Sequence, residues 1–212
     1  MPESAATTHL IKDRFRSYLP VVIDVETGGF EAGKHALLEV AAVIIKMDEY
    51  GKLQPGTTVH QHIIPYEGLE LDKAALEFTG IDPHNPLRQA VSEQLALTEV
   101  FKAIRAEIKA SQCKRAIMVA HNAAFDQAFI KASVERNKLK RDPFHPFSNL
   151  DTVSLAALAY GQTVLARACQ SAEIDFNPKE AHSALYDAQK TAELFCTIIN
   201  KWQTLGGWPL AL

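Results

Sequence analysis

The sequence predicts an α/β domain with a mixed sheet, and three observations carry that expectation. Three strand-like runs joined by short turns fill the first part of the chain. A further apolar run, 116–120, passes through a polar turn straight into a helical pattern. Beyond it the periodicity is mostly helical. The first run, Val21 to Gly29, is rich in β-branched residues and ends at Gly28-Gly29. Asp24 and Glu26 stand two apart on it, so their side chains share a face, about 6–7 Å apart along the strand. Such a pair is either solvated at a strand end or bound to a hard divalent cation that relieves its repulsion, and the dipeptide spacing alone leaves both open.

Leu37 to Lys46 is the second strand, and Asp48, Glu49 and Gly51 supply a hairpin turn within Met47 to Leu53. Thr57 to Pro65 is the third, completing an antiparallel meander. His60 and His62 lie on it at i, i+2. With no third ligand close in sequence, they read as strand-surface histidines. Leu69 to Phe78 is a short helix stopped at Thr79-Gly80, and 81–86 is a Pro- and Asn-rich loop. Val91 to Ser111 is an amphipathic helix, with Leu95, Leu97, Val100, Phe101, Ile104 and Ile108 near helical spacing.

The strand Ala116 to Ala120 leads through His121 and Asn122 into a helix ending near Asn137, a βα unit of the kind that places ligands at strand ends. Residues 143–147 read as an irregular aromatic loop. Asn149 to Thr152 opens a helix through Tyr160, with Asp151 a candidate N-cap, and Gln162 to Ala172 is another helix. After the loop 177–180, Ser183 caps a long final helix, Ala184 to Trp202, and 206–209 ends the structure.

A chain of 212 residues can bury a real core, and nothing in it marks a repeat or an internal linker. The expected organisation is one domain over 1–212, with a basic arm at 1–18, a core at 19–204 and a tail at 205–212. The three cysteines form no C-x-x-C pair, which argues against thiolate zinc and for a reducing cytoplasm. Met1 to His9 lacks the pattern of a signal peptide, and no apolar run is long enough for a membrane span. A net charge of −3 announces no nucleic acid globally, although acids gathered at a metal site would hide a basic face in the sum.

Asp126 and Asp187 join the first two acids as candidates, and His182 stands five residues before Asp187. With Ser183 as cap, His182 falls on the loop before the helix and Asp187 inside it. A carboxylate would then be held rigidly while the imidazole stays free to approach a substrate. Asp24-x-Glu26, Asn122-x-x-Phe125-Asp126 and His182-x-x-x-x-Asp187 resemble, in order and separation, the three motifs of the DEDD exonuclease superfamily in its His-containing, DnaQ-like branch. The flanks 22–27, 118–122, 143–147 and 181–187, and the tail 205–210, are similar to the ribonuclease T family within that branch.

The resemblance implies a ribonuclease H-like core and a 3′→5′ exoribonuclease working with two Mg²⁺ ions, or Mn²⁺ in their place. The implied substrates are 3′ ends of tRNA, including CCA turnover, and of rRNA and small stable RNA precursors, with single-stranded DNA as a further one. Asp24 would bridge the ions, Glu26 and Asp187 would complete the ligands, and Asp126 would act through a water. His182, beside the metals, would be the general base, and Asp151 a supporting acid. Phe30, Phe78, Phe125 and Phe147 match positions that stack on the last bases. Arg14, Arg16, Lys109, Arg115 and Lys140 match the basic surface, which in that family reaches the partner's centre across a homodimer. One departure stands out: Ala74 occupies the place of a family glutamate four residues before the stacking Phe78. Two other readings compete. One is a DNA-directed exonuclease or proofreading subunit. The other is a non-catalytic nucleic-acid-binding module, which should lack one of the four carboxylates or the histidine, and none is missing.

Overall fold

A computed structural model describes residues 10–208. Six strands form one sheet in the order β4-β3-β2-β1-β5-β6. The three long strands, β1 (Tyr18–Thr27), β2 (Leu37–Met47) and β3 (Leu53–Ile64), make the expected antiparallel meander. β5 (Arg115–Ala120) lies parallel to β1, pairing Tyr18 with Arg115 and Val22 with Val119. β1 is central and β2 is its neighbour, and both are buried on their two faces, so helices must cover each side. The helix α6 (Ala184–Thr204) packs along β1 to β3, and α2 (Glu93–Ala110) along β2, β3 and β5. The core between them is built from Val22, Ile23, Ile44, Leu97, Phe101, Phe129 and Phe195.

Local chemistry fixes the shorter elements. Asp72 caps α1 (Lys73–Thr79) by accepting from the Ala74 amide at 2.7 Å, and Gly80 ends it at φ 70°. The Ser92 hydroxyl caps α2 at the Leu95 amide, and two residues before it, Val91–Ser92, pair with β3 as the short strand β4. α3 (Ala123–Arg136) follows β5 directly, and Asn122 takes φ 76° at the junction, a conformation asparagine tolerates. α4 (Thr152–Tyr160) and α5 (Leu165–Ser171) pack with Leu194 and Ile198 of α6 in a small second cluster.

The structure corrects the reading of 143–147 as irregular loop, for Phe144–Asp151 is an eight-residue strand, β6, parallel to β5. Pro146 is compatible with it because β6 lies at the sheet edge, where an absent N–H breaks no inner ladder. The third strand also starts at Leu53, four residues before the expected Thr57. Residues 10–17 do not project as an arm: they form two short 3₁₀ turns with Ile11 buried and Phe15 against Phe195. Residues 1–9 of that expected arm and 209–212 of the tail lie outside the described residues.

Gly29 closes the loop after β1 at φ 153°, and a Cβ there would lie 2.4 Å from the buried His35 ring, whose Nδ1 accepts from the Glu31 amide. Gly29→Ala therefore strains the backbone and expels His35 together. It should cost about 1–3 kcal/mol, read as a lower denaturant midpoint with an unchanged slope.

Candidate active site

The site lies at the C-terminal end of β1. Pairing with β2 runs in register through Glu26 opposite Glu39 and then slips, so that Thr27 pairs with Leu37, a bulge beside the two carboxylates. Ala41, opposite Asp24, leaves room there. α6 brings in Asp187 from its first turn, and an oxygen of each of Asp24, Glu26 and Asp187 lies within 4.8 Å of the other two. α3 brings Asp126, buried, whose Oδ1 accepts from the Val25 amide at 3.1 Å, between the two β1 acids. Asp151 is not one of the clustered acids. Its carboxylate accepts from the amides of Asn122, Ala123 and Val153, so it caps α4 and fixes the start of α3.

Burial and mutual repulsion dominate the electrostatics. Burial raises Glu26 to about 8, with Asp187, Glu39 and Asp126 adding to it. Burial likewise lifts Asp126 to about 8. Asp24 is pushed well up by burial first and then by Asp126, Glu26, Asp187 and Glu39. Asp187 is raised by burial, against the opposing hydrogen bond from the His182 amide. Between roughly pH 4.5 and 8 the metal-free native state thus binds more protons than the unfolded chain, so these groups make stability fall as pH rises. Unfolding followed in chelator should show a midpoint that declines across that window, and a divalent cation should restore most at its upper end. A flat chelator profile would contradict the cluster.

The donor set fits hard divalent cations. Asp187 Oδ2 is held by the His182 amide at 3.0 Å, while its Oδ1 is buried with no hydrogen-bond partner. An orphaned carboxylate oxygen among three converging acids is satisfied by a cation with oxygen preference. His182 itself adopts φ 66°, is exposed, and packs at a tilt against Phe78, with ring centroids 4.2 Å apart and planes 51° from parallel.

Beside the acids a cavity of about 370 Å³ is lined by Glu26, Phe30, Ala74, Phe78 and Phe125, among others. Phe30 is 81% and Phe78 68% exposed, an amount of bare ring that suits a stacking partner. Phe147 is as bare but stands apart on β6, edge-on to His145. Ala74 lines the cavity, whereas Glu77 pairs with Lys73 across the exposed face of α1 and is not among the lining residues. Arg16, Lys109, Arg115 and Lys140 are exposed. Arg16 and Arg115 flank the opposite ends of β1 and β5 from the acids, which at the strand rise is about 20 Å away. Arg14 differs from them. It is 5% exposed, with its guanidinium 4.1 Å from the centre of the Trp208 ring.

Acids from three elements thus meet at the end of a central strand, with a histidine five residues before the last of them, the arrangement the DEDD motifs of the His branch lead one to expect. A family model described as RNase T, exonuclease, matches residues 21–195. Ribonuclease T of Vibrio parahaemolyticus is 65% identical over 201 residues, 94% of each chain. That of Escherichia coli is 59% identical over 211 residues, covering 100% of this chain and 98% of its own. Among solved structures, E. coli exonuclease I bound to a dT13 oligonucleotide superposes with a TM-score of 0.67 at 17% identity, over 89% of this chain and 42% of that one, so this chain spans under half of it. The nuclease domain of 3′hExo, a DEDDh member bound to rAMP, gives 0.64 at 16%, over 89% and 92%. The chain belongs to the ribonuclease T family of exonucleases. It is a 3′→5′ exoribonuclease, and its catalysis depends on divalent metal.

Proposed function

We propose that this exoribonuclease trims short single-stranded 3′ ends of tRNA and other stable RNAs, in the cytoplasm, as a homodimer using two Mg²⁺ ions per centre. The observation that carries the reading is the meeting of Asp24, Glu26 and Asp187 oxygens within 4.8 Å at the mouth of a phenylalanine-lined cavity. Two divalent cations, when bound, neutralise charge on the attacking and leaving oxygens of a phosphodiester. Asp24, Glu26 and Asp187 would hold them. Asp126, tied to the Val25 amide, keeps the β1 acids in place and carries a water. His182 accepts the proton of the attacking water, since imidazole is the side chain suited to that exchange near neutral pH.

Phe30, Phe78 and Phe125 grip the terminal bases by stacking, worth about 1–3 kcal/mol for each base. The cavity wall at Ala74 is a methyl group, so terminal bases are selected there by fit rather than by a carboxylate's hydrogen bond. Phe147 takes a base further from the scissile bond. Arg16 and Arg115, about 20 Å from their own acids, face RNA bound at the partner's centre, and the exposed Lys109 and Lys140 extend that basic surface. Arg14 serves that surface from beneath, as a packed residue.

The test is a 3′-extended tRNA and a single-stranded DNA oligomer incubated with Mg²⁺, with and without chelator. Shortening by single nucleotides from the 3′ end, faster on RNA and stopped by chelator, is the expected result. Faster action on DNA would support the DNA-directed reading, and internal cuts would overturn the mechanism. A monomeric mass at micromolar concentration would remove the partner-supplied surface.

A further inference from the structure

We propose that Glu39, His60 and His62 form a second metal site, of the Zn²⁺ class, on the same sheet as the carboxylate centre but distinct from it. The sequence hides the cluster because its third member comes from the neighbouring strand. Glu39 on β2 pairs directly with His62 on β3, and His60, two residues away, shares the face of His62. A ligand atom of each of the three lies within 4.8 Å of the others. His62 Nδ1 is 2.8 Å from Glu39 Oε1, and His60 Nε2 is 3.5 Å from Oε2, so each imidazole faces its own carboxylate oxygen. A tetrahedral ion with bonds of about 2.0–2.1 Å sets its ligand atoms about 3.4 Å apart, so the cluster needs only small side-chain adjustments.

His60 Nε2 supplies a further sign: it is buried, and its contact with Glu39 Oε2 at 3.5 Å is too long for a good hydrogen bond, so its lone pair or proton is poorly satisfied. Glu39 is 6% exposed, and although burial alone would raise its carboxyl, the two histidines outweigh that and keep it below its ordinary value. Arg88 opposes binding, standing 3.7 Å from Glu39 Oε1, but its Nη2 is committed to the Leu38 carbonyl at 2.8 Å and Oε2 is left to His60. The His62 side chain, 35% exposed, gives access from solvent, as a three-ligand site completed by water requires.

Donor chemistry sorts the ions between the two sites. Imidazole nitrogen suits Zn²⁺ and its neighbours, whereas the oxygen-only set at Asp24, Glu26 and Asp187 suits Mg²⁺ and Mn²⁺. Glu26, Glu39 and His62 form a row across three adjacent strands, so an ion on Glu39 reduces the negative field on Glu26.

The experiment uses the full chain stripped with chelator and held in excess Mg²⁺, titrated with Co²⁺ as a visible-absorbing stand-in for Zn²⁺. One equivalent should bind, be displaced by Zn²⁺, and persist in Asp24→Asn. His60→Ala combined with His62→Ala should bind at least ~10-fold more weakly, as should the single change His62→Gln, which is milder should the double variant not fold. Undiminished binding by the histidine variants, loss of binding in Asp24→Asn, or no uptake by the parent protein would each overturn the site.

Discussion

Asp24→Asn is expected to lower turnover by roughly 10³-fold or more, and at the same time to raise the melting temperature of the metal-free protein. The two effects have one cause. Asp24 faces Asp126, Glu26, Asp187 and Glu39, and burial together with these neighbours works against its ionisation. Asparagine keeps the shape and one acceptor oxygen while removing a charge from the crowd. Metal-free protein gains because fewer like charges are confined together. The loaded enzyme loses because cations that the crowd would have held are held more weakly. Single-turnover shortening of a 3′-labelled RNA and calorimetry in chelator read the two sides. Unchanged turnover, or a variant less stable without metal, would take Asp24 out of the centre.

His182→Ala should reduce kcat by about 10²–10⁴-fold, the range for a lost general base, with KM little changed. Its stability effect should be small, because the ring is exposed and the contact it gives to Asp187 comes from the backbone amide, which alanine retains. The φ of 66° complicates alanine, which enters that region at about 1–2 kcal/mol. His182→Asn is the cleaner companion, since asparagine tolerates that backbone and still lacks a suitable base. If both variants keep full kcat, the proton goes elsewhere. If KM rises with kcat intact, the imidazole is a stacking partner of Phe78 only.

Much of this was legible in the chain itself. β-Branched runs and helical spacing placed β1 to β3, α2, α3 and α6, because those elements bury a regular face. Motif spacing singles out four acids and His182 as candidates, and the fold gathers Asp24, Glu26 and Asp187 while setting Asp126 against the intervening amide. What escaped was set by tertiary position. β6 contains a proline, Pro146, that only an edge strand accommodates, and β4 is too short to leave a period. The sequence offers Asp151 both as a cap and as a supporting acid; the structure shows the cap, and its reach to Asn122 and Ala123 depends on β5 lying beside β6. Glu39 carried no spacing signal, since its partners are aligned with it only by strand register. Nor does composition reveal that Arg14 lies under a tryptophan rather than in solvent.

That last contact has a practical side. The chain contains two tryptophans, 202 and 208. Trp208 covers the Arg14 guanidinium, so it reports on the seam where the ends of the described chain meet, and Trp202, packed over Gly207, lies next to it in the chain's C-terminal turn. Intrinsic emission will follow the parting of that seam and stay nearly silent about events at the acid cluster, for which an introduced dye or a labelled oligonucleotide is the better optical handle.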